Sequence, residues 1–491
     1  MPEYTTPGVY VEELPATGPI AGVGTSTAAF LGVAGRGPVA TPTKVTNLTQ
    51  FSDRFVPASL AEPYEGLVRG VRGFFENGGT VAYVTRVASP AVAASVALKG
   101  GQPAKAVLTI TAKDVGTAGN TITVGVPASG GGRFSLIIGR TGAAVGQTFG
   151  DLSLDPTDRR FVGAVLAGTA VDATVAADAT GPPTKLDAPV GLTGGTDDAA
   201  TQTGSDADWN AALAALARVD DVNLVCAPGI TTTSVQQSLI THCEQTGDRF
   251  AILDGVRAAD PAAIVAQRGN VESTRGYAAL YHPWLQIPDP GGRAGDTVLV
   301  PPSGHVAGVF SRVDAQRGVH KAPANELVNG VLGVADALDD AEHGQLNEIG
   351  VNVLRVFPGR ARPAVWGART TSPADNPAWR YVNVRRLFLF VEESIQEGIR
   401  WAVFEPNDLS LWKRLDRTIT EFLTRVWSSG ALFGATAAEA FYVKIDEENN
   451  PEDVRELGQV VVEVGIAPVR PAEFVVVRIG MWTGGSQAQE G

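Results

Sequence analysis

The sequence predicts a multidomain protein of mixed class, α/β through its middle and α+β towards its end. Three observations carry this expectation. From Asp206 onward, short apolar runs alternate with helical patterns, the order of a mostly parallel sheet covered on both faces. Between about Ser89 and Asp206 the composition shifts to Ala, Gly, Thr and Val, with Gly and Pro clusters separating short strand candidates, which reads as a β-rich inserted surface domain. From Trp379 to Ile479, two amphipathic helical patterns precede three strand-like runs. The expected divisions are an N-terminal strand arm at 1–24, a first core segment at 25–88, the insertion at 89–205, an α/β domain at 206–378, an α+β module at 379–470 and a C-terminal strand arm at 471–491.

Composition narrows the classes. The chain has 491 residues, 44% of them hydrophobic, enough for several well-cored domains. No apolar run approaches the roughly 18 residues of a membrane span. The first fifteen residues hold Glu3, Glu12 and Glu13 and no apolar stretch, so no signal peptide is expected. A net charge of −13 argues against nucleic acid as the main partner, because phosphate binding needs clustered Lys and Arg. The two cysteines, Cys226 and Cys243, exclude a disulfide framework and fit small core residues in a reducing compartment.

Taken in order, "PGVYVEELP" alternates Val9 and Val11 against Tyr10 and Glu12, the period of a half-buried strand. A short strand at a chain end is not stable alone, so it docks either on this chain's own sheet or on another subunit's. "STAAFLGVAGRG" reads as a buried strand. "TNLTQFSDRF" reads as a short helix capped by Asn47 or Thr49, and "EPYEGLVRGVRGFFENGG" as a longer one. In the insertion, strands are expected at Ala106–Thr111, Thr121–Val126, Arg133–Ile138 and Phe161–Leu166. The glycine-rich Gly139–Thr148 lacks the lysine and spacing of a phosphate loop. Beyond Asp206, "DVNLVCAP", "RFAILD" and "YAALYHPWLQI" are expected strands, and "VQQSLITHCEQTG" is a helix ended by Gly247.

Candidate chemistry is sparse. None of His242, His282, His305, His320 and His343 is spaced as a metal ligand pair, and no G-x-S-x-G elbow is present. No metal, cofactor or catalytic set is assigned. The alternative is a serine-hydrolase-like site using His305 or His320 with Asp314, which the fold would have to assemble. Glu392–Glu393 and Glu447–Glu448 are read as solvated surface charge.

The closing module is more informative. Leu387, Val391, Ile395, Ile399 and Val403 form one apolar stripe; Trp412, Leu415, Ile419, Phe422 and Val426 form a second. Opposite the second lie Lys413, Arg414, Arg417 and Arg425, with Glu421 among them. This is either a solvated face laced by i,i+4 pairs or a contact for an acidic partner. The last strand run, "AEFVVVRI", places Val475, Val477 and Ile479 on one face and Phe474 and Val476 on the other. Apolar on both faces, it needs a partner, since a bare edge of this kind aggregates. Burying four such side chains contributes roughly 6–12 kcal/mol gross, much of it offset by ordering the arm.

The stretches "PGVYVEEL", "GRGPV", "FFENGGTVAYVTRV", "VPPSGHVAGVFSRVDAQRGVHKAPAN", "GVNVLRVF", "WGART", "YVNVRRLFLFVEESIQEGIRWAVFEPND", "GALFGATAAEAFYVKID" and "APVRPAEFVVVRI", in this order, resemble the sheath proteins of contractile phage tails and related injection systems. The resemblance covers nearly the whole chain except the insertion. It implies a structural subunit, not an enzyme, that polymerises helically in stacked rings around an inner tube and contracts to drive the tube through a target envelope. The energy would be held in a metastable extended lattice, without a cofactor. It implies a subtilisin-like middle domain by fold only, and a C-terminal domain whose sheet is completed by arms of neighbouring subunits. Those arms would be Val9, Tyr10, Val11 and Glu12 together with Phe474, Val475, Val476, Val477 and Ile479. Implied partners are further copies of the chain, an inner tube protein, and baseplate and terminator or cap proteins, with no nucleic acid and no membrane insertion. Assembly is expected in the bacterial cytoplasm, as part of a phage tail or a phage-tail-like particle. Lys413, Arg414, Arg417 and Arg425 would face the tube.

Overall fold

A computed structural model describes residues 19–56, 64–89, 91–101, 103–142, 146–197, 205–257, 261–290, 293 and 295–478. The expected arm at Val9–Glu12 and the last arm residue, Ile479, lie outside them. The chain forms two compact units. One gathers the residues up to Gly32, Pro42–Thr85 and everything from Leu213 onward; the other gathers Val33–Thr41 and Arg86–Ala212.

The first unit is built on a nine-stranded sheet. Its order from one edge is Glu326–Leu327, Ala364–Val365, Val351–Arg355, Ala278–His282, Phe250–Asp254, Leu224–Cys226, Ala28–Gly32, Ala82–Arg86 and Thr43–Val45. The five strands from Val351–Arg355 to Ala28–Gly32 run parallel, with Phe30 beside Cys226, Cys226 beside Ile252 and Ile252 beside Ala279. Every residue of Ala28–Gly32, Phe250–Asp254 and Ala278–His282 is buried, as expected for strands covered on both faces. Both cysteines are buried and free.

Local chemistry explains the helix ends. Asn47 caps Leu48–Phe55 by accepting from the Gln50 N–H at 2.9 Å. Gly247 ends Thr233–Thr246 in the left-handed conformation, φ 76°. The central helix Pro302–Arg317 begins with proline at its first position, where the missing N–H costs nothing. Its N-terminus has a remote cap. The Asp254 carboxylate, at the end of its strand, accepts from the Ser303 N–H at 2.7 Å, the Ser303 hydroxyl at 2.8 Å and the Gly229 N–H at 2.9 Å. This helix packs against Glu65–Glu76 so closely that a Cβ on Gly304 would stand 2.1 Å from the Gly70 carbonyl oxygen.

One expected strand is corrected, and one helix is new. "YAALYHPWLQI" is two strands, Ala278–His282 in the large sheet and Leu285–Pro288 in a separate three-stranded sheet. The run breaks at Pro283, which has no N–H to give a ladder. Asp340–Glu348 is a helix with a capping box from Asp339 and Glu342, in a stretch too polar to show an apolar period.

The second unit has its own core, including Leu108, Ile110, Val124, Phe134, Leu136, Leu152, Val162 and Leu192. A three-stranded antiparallel sheet places Lys105–Ala112 between Val171–Val175 and Ser95–Gly100. A five-stranded sheet centres on Arg133–Arg140. The expected strand at Phe161–Leu166 is instead the helix Val162–Leu166. Its two buried residues, Val162 and Leu166, stand four apart, and in so short a run that spacing fits a helix as well as a strand.

Candidate assembly surface

The closing module condenses around two helices, Val382–Gly398 and Leu409–Ser428. Leu387, Val391, Ile419, Phe422, Leu423 and Val426 are buried together, and Ile395 and Ile399 pack against them. The first stripe stops there. The helix ends at Gly398, the chain turns through Arg400–Ala402, and Val403 is exposed rather than buried. The second stripe is buried from end to end. Asp408 caps the second helix by accepting from the Leu411 N–H at 2.8 Å. Phe441–Lys444 and Glu463–Ile466 pair as an antiparallel hairpin over this core.

Two charged joints tie the module to the rest of its unit. In the first, Arg386 reaches Asp314 of the central helix through two bonds of 2.5 and 3.0 Å. The two side chains are only 3% and 5% exposed. Thr25 completes the joint, its hydroxyl donating to Asp314 at 2.7 Å and its carbonyl accepting from Arg386 at 2.8 Å. The segment before Thr25 then runs along the module. Ile20 inserts into the apolar core, and the Val23 N–H donates to the Ser394 hydroxyl at 3.1 Å.

The second joint holds the root of the C-terminal tail. Glu473 accepts from Arg369 Nε and Nη2, both at 2.9 Å, from the Tyr381 hydroxyl at 2.8 Å and from Asn347 Nδ2 at 2.8 Å. Burial alone would raise its pKa; the bonds from Arg369, Asn347 and Tyr381 prevail and hold the carboxyl below the usual range. Just before it, the Val469 N–H donates to the Ala431 carbonyl at 3.1 Å, and Asn383 donates to the Val469 carbonyl at 3.1 Å. Immediately after it burial ends. Phe474, Val475, Val476 and Val477 are 73–80% exposed and form no strand.

The basic helix face divides in two. Arg425 donates to the Ile20 carbonyl at 2.6 Å, and Arg414 pairs with Glu405 at 2.8 Å and stacks on the Trp401 ring. Lys413 and Arg417 are exposed and, among the described residues, have no ion-pair partner. The carboxylate pairs also divide. Glu447 and Glu448 are exposed, as expected. Glu393 is half-buried, its carboxyl pushed up to about 7 by burial and by Asp248 and Glu397, against the opposing Arg249.

The hydrolase alternative gains nothing from this geometry. His305 is buried against Gly73 and pushed down to about 4 by desolvation. Asp314 is committed to Arg386, and the Ser303 hydroxyl donates to Asp254 rather than to a histidine. The Glu473 joint was not foreseen from sequence. Its only local signal is a lone acid in front of an apolar run, because its partners lie 92 to 126 residues away.

Family models agree with this architecture. Residues 203–371 match the phage tail sheath protein central domain, and residues 374–481 match the phage tail sheath C-terminal domain. Together these matches cover more than half of the chain. The chain belongs to the phage tail sheath protein family. This sheath protein is 26% identical over 264 residues to a tail sheath protein of Vibrio phage KVP40, covering 53% of this chain and 38% of that one. It is 28% identical over 257 residues to a putative prophage major tail sheath protein of Pseudomonas aeruginosa, covering 51% and 62%. Against the tail sheath protein of Escherichia phage P2 it is 26% identical over 262 residues, covering 51% and 61%. The sheath protein therefore spans between 38% and 62% of the length of these relatives. In fold it is similar to the contracted helical sheath of the anti-feeding prophage, TM-score 0.63 at 22% identity, covering 97% of this chain and 99% of that one. It is also similar to the contracted sheath complex of the extracellular injection system PVC, TM-score 0.61 at 21% identity, covering 98% and 99%.

Proposed function

We propose that this chain is a structural sheath subunit. It polymerises helically around an inner tube, holds an extended metastable lattice, and contracts to drive the tube through a target envelope. The observation that carries the reading is the junction at Glu473. A four-bond anchor fixes the tail, and an exposed apolar segment follows at once. An arm rooted so firmly and ending in bare valines suits a strand handed to a neighbouring copy, where main-chain bonds transmit load.

The arms are Val9–Glu12 at one end and Phe474–Val477 with Ile479 at the other, each adding to the sheet of a neighbour's closing module. The 206–378 part carries a subtilisin-like arrangement in fold alone. The 379–470 module lies on the inside of the sheath, with the helix bearing Lys413, Arg414, Arg417 and Arg425 facing the tube. Baseplate and cap proteins close the ends of the polymer. Assembly takes place in the bacterial cytoplasm, and no catalysis is involved.

Electron microscopy of the purified protein tests the reading, because a sheath subunit forms striated tubes. Deletion of Met1–Leu14 tests the exchange of arms. The truncated chain should fold but fail to form long sheaths on its tube, and normal sheaths from it would refute strand donation.

A further inference from the structure

The connection between the two strands of the closing hairpin is a charged knuckle. Residues 446–457, "DEENNPEDVREL", hold six carboxylates and one arginine. Its backbone is fixed from within. Asn450 is fully buried, accepting from the Val461 N–H at 2.6 Å and donating to the Val461 carbonyl at 2.9 Å. Asn449 donates to the Lys444 carbonyl at 2.8 Å, and Glu448 pairs with Lys444 at 2.6 Å. Glu447, Glu452, Asp453 and Glu456 are exposed and, among the described residues, have no ion-pair partner. Leu457 beside them is 73% exposed.

The same unit carries a surface of opposite character. A cleft of about 880 Å³ opens at the root of the tail, with Arg317, His320, His343, Trp366, Arg470 and Val475 in its walls. Its acids are already matched, Glu326 by Lys321 at 3.6 Å and Glu473 by Arg369 at 2.9 Å. Arg317 and Arg470 are exposed and, among the described residues, have no ion-pair partner. Among the described residues, none from the knuckle lines the cleft of its own chain.

We infer that the acidic knuckle of one copy seats in this cleft of the next copy, its carboxylates against Arg317 and Arg470 and its Leu457 against Trp366. The inference rests on the sheath reading and adds a second contact to the exchange of arms. Both surfaces belong to this chain, so their charges are known. Four free carboxylates face two free guanidinium groups, and each set has apolar surface beside it. Two different patches meet, so the contact is heterologous, and its repetition extends an open polymer rather than closing a pair. Arg470 and Val475 stand on either side of Glu473 in the chain, so a seated knuckle also steadies the segment from which the tail leaves.

The test uses the full chain and its inner tube protein. Arg317→Glu with Arg470→Glu, and separately Glu452→Arg with Asp453→Arg, should each raise the subunit concentration for half-maximal sheath assembly at least about tenfold, because like charges then face each other. The substituted side chains are exposed, so heat unfolding of the unassembled subunit should stay as in the wild type. A chain carrying all four substitutions should recover most of the loss, since the exchanged charges attract again. Unchanged assembly in either variant would overturn the inference. So would a loss that the combined chain does not recover, because the two surfaces would then meet different partners. A wild-type chain that forms no sheath on the tube would overturn the sheath reading itself, and this contact with it.

Discussion

Glu473 and Phe474 are neighbours in the chain and opposites in the structure. Glu473 receives four hydrogen bonds from three side chains; Phe474 and the three valines after it receive solvent. The Arg386–Asp314 joint resembles the first residue, and the loop around exposed Phe404 resembles the second. The difference teaches how the module divides its interactions. Buried charge fixes the positions from which segments leave, because paired charges are directional and costly to break. Apolar surface is left at the ends of those segments, where its burial can supply association energy.

The largest expected effect comes from breaking the joint. Asp314→Ala leaves the Arg386 guanidinium buried and unpaired, and should cost about 3–5 kcal/mol in denaturant unfolding. Replacing both partners by apolar residues should recover much of that loss. A small effect of the single change would mean that the joint is not a fixed point.

Next comes the tail root. Glu473→Gln keeps the shape and removes the charge that Arg369 grips, and should cost about 1–3 kcal/mol of local stability, read as faster amide exchange at Val469–Ala472. The pH dependence has a definite sign. The folded pKa lies below the ordinary 4.5, so the contribution is complete above that value and is lost as pH falls through the folded pKa. Acidification below about 4.5 should loosen the tail before the sheet unfolds.

The smallest effect sits at Glu393, where the sign reverses. Its folded pKa of about 7 is above the unfolded one, so the folded state binds the extra proton and stability declines as pH rises from about 5 to 8. Glu393→Gln should flatten that decline by on the order of 1 kcal/mol, measured as unfolding free energy against pH.

Much of the fold was legible because it is local. The two closing stripes, the Asn47 cap and the Gly247 stop all follow from spacing within a few turns. Where spacing is ambiguous, sequence reading failed. Phe161–Leu166 was too short to separate helix from strand, and Asp340–Glu348 announced itself only by its capping box. The candidate surface was legible in composition but not in function. Lys413, Arg414, Arg417 and Arg425 look equivalent on a helical wheel, yet two of them are committed to Glu405 and Ile20 by contacts that no local pattern encodes. Phe404 carries no signal in the sequence, and only its backbone angle and exposure set it apart.

Amide hydrogen exchange at Phe474–Val477 tests the central claim most directly, compared between the subunit held monomeric and the assembled sheath. The account predicts fast exchange in the subunit and slowing by at least about 100-fold in the assembly, the mark of a strand completed by a neighbour. Equally fast exchange in both would contradict it, because the valines would then have no partner in the particle either.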